Sequence, residues 1–263
     1  MRFKDKVVWI TGASSGIGEA LSYVFSEEGA SVIISGRRAD KLESVRLNSP
    51  HPDKVYTVPL DLEDTDSIVP TAESVLARFG RIDILINNAG VSQRSKVLET
   101  SIETDRRIME VNYFSAVILT KAVLPSMTKQ GGGHVACTSS MVGVFGFPLR
   151  SAYSAAKHAL HGFFESLRVE YHTEGIKVSI IIAGRINTPI SMSAITSDGS
   201  AYGKMDEGQQ NGISTQKAAY QIVNGIYKNR PEIPCGGNEL LMVKIKRWLP
   251  RVHFRISSKI KPT

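Results

Sequence analysis

Two residues that could move a proton stand four positions apart in the sequence, Tyr153 and Lys157. In a helix this spacing places both side chains on one face. A free tyrosine has a pKa of about 10 and stays protonated at neutral pH, but a neighbouring ammonium group favours the phenolate. Ser140 carries a hydroxyl that could bind a substrate oxygen and stabilise its developing charge. The three side chains predict acid–base chemistry at a hydroxyl or carbonyl group.

A glycine-rich loop follows the first apolar run of the chain, VVWIT (7–11). Its segment TGASSGIG (11–18) has the spacing GxxxGxG, and a helical pattern begins inside it. Glycines at this spacing allow a tight turn and let the backbone approach a pyrophosphate at a helix N-terminus. A glycine turn without a ligand is the alternative, and the strand-to-helix context disfavours it. We expect dinucleotide contacts from Gly12, Ser14, Ser15, Gly16, Ile17 and Gly18.

These groups must be positioned by an alternation of short apolar runs and longer helical patterns. Strands are predicted at 7–11, 31–35, 55–60, 82–87, 134–139 and 177–183, and helices at 16–28, from 39, at 64–79 and at 153–172, with one or two helices over 102–129. Strands this apolar are typical of a parallel sheet that is buried on both faces. The predicted fold is α/β, a single Rossmann-like doubly wound parallel sheet with helices on both faces. It would form one catalytic domain, 1–238, with a substrate loop at 187–213.

The motifs resemble those of the short-chain dehydrogenase/reductase family over nearly the whole chain. The resemblance rests on TGASSGIG, Asp61, NNAG (87–90), Asn112, Ser140 and the segment YSAAK (153–157). Within the family, GVSQRS (90–95) and SAAKHALHGFFESLRVE (154–170) resemble the dehydrogenase/reductase member 7 subgroup. The resemblance implies an oxidoreductase with the catalytic residues Asn112, Ser140, Tyr153 and Lys157. Asn112 would hold a water in a proton relay.

The same resemblance implies the remaining contacts to a nicotinamide nucleotide. Lys157 would hold the nicotinamide ribose, and Thr188 would bind the carboxamide. The expected contacts around the adenine and the strand ends are Asp61, Leu62, Asn88, Ala89 and Gly90, with Tyr153 and Lys157 completing the set. Ala183-Gly184 departs from the Pro-Gly that is usual after the sixth strand, which removes a fixed backbone φ near this pocket. The family also suggests a homodimer or homotetramer.

The segment SGRR (35–38) indicates which dinucleotide binds. Enzymes that prefer NAD place an acid at the end of the second strand, and Gly36 occupies that position here. Arg37 and Arg38 follow, and guanidinium groups suit a 2′-phosphate. Two observations argue the other way: both arginines could be surface residues, and Ser15 stands where many NADP-preferring relatives carry a basic residue. We expect NADP(H), with NAD(H) as the alternative.

Two segments rich in apolar side chains predict the nature of the substrate pocket. One follows Ser140 (Met141, Val142, Val144, Phe145, Phe147), and the other lies in the loop (Ile190, Met192, Ile195, Tyr202, Met205). If both border the crevice, a small apolar ketone or secondary alcohol fits better than a sugar. The alternative is that these side chains pack only against each other.

Residues 239–263 form a basic C-terminal extension. They hold seven Lys and Arg residues against Glu239, so most of the net charge of +7 lies here and the rest of the chain is nearly neutral. This distribution argues against a nucleic-acid-binding face on the domain. Apolar residues recur at helical spacing (Leu241, Ile245, Trp248, Leu249, Val252, Ile256), basic residues lie on another face, and Pro250 would kink the helix. A peripheral membrane contact, a flap over the crevice and a subunit contact stay open.

The two cysteines, Cys137 and Cys235, do not indicate a disulfide framework, so we expect a cytoplasmic protein. His158 and His161 lack further ligands nearby, and we predict no metal. The rival to an enzyme is a non-catalytic NADP(H)-binding sensor or scaffold of the same fold. Such a protein would typically lack the tyrosine or the lysine, and both are present.

Overall fold

The computed structural model describes residues 1–259; Lys261 of the basic extension lies outside the described residues. The strands, in chain order, are Val7–Thr11 (β1), Ser31–Gly36 (β2), Val55–Pro59 (β3), Ile84–Asn87 (β4), Gln93–Arg94 (β5), Gly133–Ser140 (β6), Ile176–Ala183 (β7), Ile195–Thr196 (β8) and Glu232–Cys235 (β9). Seven of them form one parallel sheet in the order β3-β2-β1-β4-β6-β7-β9. β5 and β8 pair separately as a short parallel ribbon.

The α-helices cover both faces of this sheet. In chain order they are Gly16–Glu27 (α1), Ala39–Leu47 (α2), Ile68–Phe79 (α3), Ile102–Met109 (α4), Ser115–Lys129 (α5), Ser151–Glu170 (α6), Glu207–Gln210 (α7), Thr215–Tyr227 (α8), Leu241–Trp248 (α9) and Pro250–Ser257 (α10). A π-helical turn, Glu110–Phe114, joins α4 to α5. The predicted fold class, a doubly wound parallel sheet of the Rossmann type, is confirmed.

Side chains of each central strand alternate between two hydrophobic cores. In β1, Val8 and Ile10 face the core shared with α1 and α8, whereas Trp9 faces the core shared with α3, α5 and α6. All three side chains are fully buried. Burial on both faces explains why the strands are apolar throughout. Because the seven strands are parallel, their carboxyl ends lie along the same side of the sheet, where β1 and β4 lead into different loops and leave a crevice between them.

The helical stretch Ile102–Lys129 is long and apolar enough, by length and composition, to cross a membrane. Its side chains Ile108, Leu119 and Val123 are fully buried in the protein. Core helices of globular proteins meet the same criterion, so the burial identifies this stretch as part of the core.

Several element boundaries differ from the sequence prediction. The stretch 102–129, expected as one or two helices, forms two α-helices joined by the π-helical turn, and the helix expected at 153–172 begins at Ser151 and ends at Glu170. The sequence analysis missed the seventh strand of the sheet, Glu232–Cys235, and the helix before it, Thr215–Tyr227. Strand β9 contains Pro234 at the sheet edge, where a missing N–H is tolerated but the sequence signal of a strand is weak.

Candidate active site

A cavity of about 760 Å³ opens at the carboxyl ends of the strands. It brings together most of the residues expected from the sequence: Gly12, Ser14, Ser15, Gly16, Ile17, Arg37, Arg38, Asp61, Leu62, Asn88, Ala89, Gly90, Ser140, Tyr153, Lys157 and Thr188 line its wall. Two expected residues, Gly18 and Asn112, do not line it and lie behind the wall. The glycine loop and the Tyr153–Lys157 pair therefore share one space.

The glycine loop has the backbone geometry that a phosphate site needs. Gly12 and Gly16 have φ values of +66° and +64°, in the left-handed region that favours glycine. A Cβ on Gly12 would meet the Cα of Ala89 at 2.7 Å, and one on Gly18 would collide with the carbonyl oxygen of Gly12. Gly18 thus allows helix α1 to pack closely on the loop. The N-terminus of α1, with its free backbone N–H groups, points a positive dipole end at this space, which fits a pyrophosphate.

Asn88 ties three neighbouring strands together at the crevice. Its Nδ2 donates a hydrogen bond to the carbonyl oxygen of Thr11 at 3.0 Å, and its Oδ1 accepts one from the Thr138 hydroxyl at 3.2 Å. The backbone N–H groups of Asn88 and Ala89 both donate to the Thr11 hydroxyl. These bonds fix the ends of β1, β4 and β6 relative to one another.

Lys157 and Tyr153 lie one helical turn apart on α6, as their spacing predicts. The Lys157 Nζ donates a hydrogen bond of 2.8 Å to the carbonyl oxygen of Thr138 and lies 5.6 Å from the centre of the Tyr153 ring. Both side chains are buried although they border the cavity. The bond to Thr138 fixes the ammonium group beside the end of β6, next to Ser140.

Burial dominates the acid–base properties of both groups. It lowers the pKa of Lys157 to about 8. It raises the pKa of Tyr153, while the positive charge of Arg150 and a hydrogen bond with Ser140 act in the opposite direction. Arg150 is therefore a cation that acts on Tyr153, and its contribution was not predicted from the sequence.

Ser140 ends strand β6 and begins a short turn. Its hydroxyl donates to the carbonyl oxygen of Ala183 at 3.3 Å and accepts from the N–H of Val142 at 3.4 Å. These long bonds hold the hydroxyl at the cavity wall beside Tyr153, where a substrate oxygen could replace the bond to Ala183.

Asn112 lies in the π-helical turn between α4 and α5 and is buried. Its Nδ2 donates to the carbonyl oxygens of Ile108 and Val91 at 2.9 and 3.0 Å. A Cβ on Gly90 would meet the Asn112 Oδ1 at 2.5 Å and the Lys157 Nζ at 3.3 Å. Gly90 therefore leaves room for both groups, and π-helical turns often mark functional sites.

Gln93 is a positioning residue that the sequence analysis missed. Its Oε1 accepts hydrogen bonds from the backbone N–H groups of Ala152 and Tyr153 at 2.8 and 3.2 Å. These are among the first N–H groups of α6, which a helix cannot satisfy internally. The side chain is fully buried, and its Nε2 lies within hydrogen-bond distance of the Ser151 hydroxyl. Gln93 is part of GVSQRS (90–95), a segment that indicated the subgroup of the family but did not predict a role for this side chain.

The two arginines after β2 have different partners. Arg38 donates from Nη2 to the Ser14 hydroxyl at 3.1 Å, directly over the glycine loop. Arg37 forms an ion pair of 3.1 Å with Glu63, which also binds Arg107. Both line the cavity, but Arg37 faces a carboxylate that it shares with Arg107, whereas Arg38 faces neutral hydroxyls.

The substrate end of the cavity is only partly apolar. Of the ten apolar residues expected here, Met141, Val142, Phe147, Ile190 and Met192 line the wall, whereas Val144, Phe145, Ile195, Tyr202 and Met205 do not. Loop 187–213 covers this end, and its Asp206 forms ion pairs with Arg94 and Arg150. All three charged side chains also line the cavity. The sequence did not predict this polar cluster, because the loop that carries Asp206 has only weak periodicity.

The histidine pair is engaged in local contacts. The His158 Nδ1 lies 2.8 Å from the carbonyl oxygen of Ser154, and the His161 Nε2 lies 2.9 Å from the Ser139 hydroxyl. Across residues 1–259, no group of three or more His, Cys, Asp or Glu residues is arranged to hold a metal ion.

Comparison with known proteins assigns this architecture to a family. The sequence model described as short chain dehydrogenase matches residues 6–198, and the chain belongs to the short-chain dehydrogenase/reductase family. It is therefore a pyridine-nucleotide-dependent oxidoreductase of the kind that interconverts alcohol and carbonyl groups.

Individual relatives support both the family and the subgroup. A Drosophila melanogaster protein named dehydrogenase/reductase SDR family protein 7-like is 44% identical over 260 residues, covering 97% of this chain and 80% of the relative. A short-chain dehydrogenase from Streptomyces avermitilis superposes with a TM-score of 0.81 at 30% identity, covering 97% and 96% of the two chains. An alcohol dehydrogenase from Thermococcus sibiricus, solved with 5-hydroxy-NADP, superposes with a TM-score of 0.75 at 25% identity, covering 89% of this chain and 97% of the relative.

Proposed function

We propose that this chain is an NADP(H)-dependent carbonyl reductase or alcohol dehydrogenase that acts on a predominantly apolar substrate. One observation carries the proposal: the buried Tyr153–Lys157 pair, the Ser140 hydroxyl and the glycine loop line a single cavity. A protein that only senses the dinucleotide does not need a buried ammonium group beside a buried phenol, because both groups lose hydration.

The residues of the chain have separate roles in the proposed reaction. The nicotinamide nucleotide supplies or accepts the hydride when it is bound. Tyr153 donates its hydroxyl proton to the substrate oxygen in reduction and accepts a proton in oxidation. Ser140 hydrogen-bonds the same oxygen and stabilises its developing charge. Lys157 holds its charge near the phenol and favours the deprotonated form, supported by Arg150. Asn112 lies behind Gly90, which also borders the Lys157 ammonium, and this position suits a proton path.

The position of Arg38 supports NADP(H) over NAD(H). Its guanidinium group lies above the glycine loop and donates to the hydroxyls of Ser14 and Ser15. These partners are neutral, whereas the partner of Arg37 is a carboxylate. Gly36 leaves the end of β2 without the acid that binds a ribose 2′-hydroxyl. A 2′-phosphate would add two negative charges to a site that already presents a cation.

The apolar residues at the substrate end support a hydrophobic ketone or secondary alcohol. Met141, Val142 and Phe147 follow Ser140 directly, and Ile190 and Met192 approach from the covering loop. The Arg94–Asp206–Arg150 cluster adds one polar region at the same end. The substrate class that fits is mainly apolar, with the reacting oxygen at Ser140 and Tyr153.

A cofactor-resolved substrate screen tests this function. Purified protein is mixed with a panel of apolar ketones or alcohols and with each nicotinamide nucleotide, and the absorbance of the reduced ring is followed. We expect turnover with at least one apolar compound and a higher kcat/KM with NADP(H), absent in Tyr153→Phe. Cofactor binding without turnover of any compound would favour the sensor alternative, and a preference for NAD(H) would overturn the cofactor assignment.

A further inference from the structure

The C-terminal helices α9 and α10 expose most of their large apolar side chains to solvent and do not pack them against the protein. Trp248 and Phe254 are 75% and 72% exposed, and Leu241, Leu249, Val252 and Ile256 are also exposed. The side that faces the protein carries other residues: Ile245 is half-buried, and His253 is buried. Most of the apolar stripe expected from the sequence therefore points to solvent. Exposed apolar side chains this concentrated along one short segment are typical of an interaction site.

Cations surround these side chains. Lys244, Lys246, Arg247, Arg251, Arg255 and Lys259 lie on the same two helices and the turn after them, and all are exposed. Within residues 1–259, Arg247 is the one member of this set with a carboxylate partner, Glu232 at 3.3 Å. The surface therefore presents unneutralised positive charge together with an indole and a phenyl ring. We call residues 241–259 the basic apolar surface.

We propose that the basic apolar surface docks on an anionic lipid bilayer. Apolar side chains in the acyl boundary and cations at the headgroups are the two contacts that hold an amphipathic helix in a bilayer interface. Tryptophan is favoured at this depth because its ring is amphipathic. A second copy of the chain fits less well, because two such surfaces would bring at least five unpaired cations of each copy together.

The docking surface adjoins the substrate end of the cavity. The His253 ring packs on the Phe145 ring with 4.6 Å between their centres, in the segment that follows Ser140. At the other end of the surface, the Glu239 carboxylate accepts hydrogen bonds from the N–H groups of Arg185 and Gly237 at 2.6 and 2.9 Å. Arg185 lines the cavity. Docking would therefore place the substrate end beside the lipid. The binding itself does not depend on the proposed reaction.

The two tryptophans of the chain make docking directly measurable. Trp9 is fully buried in the sheet, whereas Trp248 is exposed on the surface in question. The full chain is titrated with vesicles of phosphatidylcholine alone or of phosphatidylcholine mixed with phosphatidylserine, while the tryptophan emission is recorded. We expect a blue shift with the phosphatidylserine vesicles that weakens as salt is added, because screening reduces surface attraction. Phosphatidylcholine vesicles should bind far more weakly.

Point variants separate the two contacts, and truncation is avoided because Glu239 and His253 contact the domain. Lys244→Gln with Arg251→Gln should weaken binding to phosphatidylserine vesicles by about tenfold or more, since each cation near the surface adds to the attraction. Leu249→Ser with Phe254→Ser should weaken it comparably.

The matched control is Val97→Ser with Leu98→Ser, which removes apolar side chains elsewhere that are at least as exposed; Leu98 is 99% exposed. This control should bind like the wild type. Three results would each overturn the proposal: no blue shift with phosphatidylserine vesicles at low salt, equal binding to both vesicle types, or an equal loss in the control. A blue shift that depends on protein concentration without vesicles would show a second copy as the occupant and would also overturn it.

Discussion

The ammonium nitrogen of Lys157 lies 5.6 Å from the centre of the Tyr153 ring, one turn further along the same helix. The hydrogen bond from this nitrogen to the carbonyl oxygen of Thr138, in strand β6, holds the ammonium group in that position. The helix supplies the spacing and strand β6 supplies the anchor, so neither element alone positions the pair. Both groups are buried, and burial opposes their charged forms.

Replacing Lys157 by methionine should remove a pH dependence of folding stability. Its pKa is about 8 in the folded protein and 10.5 as a free side chain. Between these values the unfolded chain holds a proton that the folded chain has released, so the free energy of unfolding rises with pH. Below pH 8 both states are charged and the full cost of burying the charge, about 3 kcal/mol, is present. Urea unfolding of the protein without cofactor measures this as a difference between wild type and Lys157→Met.

The difference is the informative quantity, because other groups titrate in the same range. Burial raises the pKa of the Cys137 and Cys235 thiols to about 12, which lowers stability as pH rises. The Cys235 contribution is common to the two proteins, whereas the Lys157 charge lowers the pKa of Cys137, so the measured difference includes the interaction of Lys157 with that thiol. We expect Lys157→Met to be more stable than wild type at neutral pH and to lose that advantage toward pH 10.5. Parallel stability curves would show that the ammonium group is not buried as described.

Gln93→Met should lower kcat while leaving cofactor affinity nearly unchanged. The substitution removes the acceptor for the N–H groups of Ala152 and Tyr153 and therefore loosens the start of α6. The loss of a helix cap costs about 1–2 kcal/mol of stability. Steady-state kinetics and a cofactor titration separate the two effects.

Gln130→Met is the matched control for Gln93. The Gln130 Nε2 donates to the carbonyl oxygens of Ile82 and Gly132 at 2.7 and 3.0 Å, far from the cavity wall. It should cost stability without changing kcat. If both glutamine variants lose the same fraction of kcat, Gln93 acts on the fold and not on Tyr153.

The two arginines after β2 should contribute unequally to cofactor choice. Arg38→Ala should weaken the binding of NADPH by about tenfold or more and barely change the binding of NADH, because a charge-assisted hydrogen bond is worth about 1.5–3 kcal/mol. Arg37→Ala should have a smaller effect, since Glu63 already offsets part of its charge. Fluorescence titration with both nucleotides measures this. Equal weakening of NADPH and NADH in Arg38→Ala would mean that the arginine only supports the loop.

The sequence predicted the parts of the molecule where local pattern and chemistry coincide. Six strands, the glycine loop and the spacing of Tyr153 and Lys157 follow from periodicity and motif, and the fold class is confirmed. What it missed depends on tertiary contacts: Gln93 reaches the helix 59 residues later, and Asp206 reaches Arg94 across 112 residues. The short edge strand β9 contains a proline and has too few residues for a clear pattern. Arg37 and Arg38 differ in their partners, Glu63 for the first and the Ser14 hydroxyl for the second, and these partners cannot be read from the sequence.

The central claim is that Tyr153 transfers the proton in a site that binds the nucleotide independently of its hydroxyl. Tyr153→Phe removes one oxygen atom from a buried ring and leaves Lys157, Ser140 and the glycine loop in place. The direct measurement is single-turnover oxidation of bound NADPH by an active ketone, with nucleotide affinity titrated on the same sample. We predict unchanged affinity and a rate at least about a hundredfold lower, the scale of general acid catalysis. A rate close to that of the wild type would contradict the mechanism.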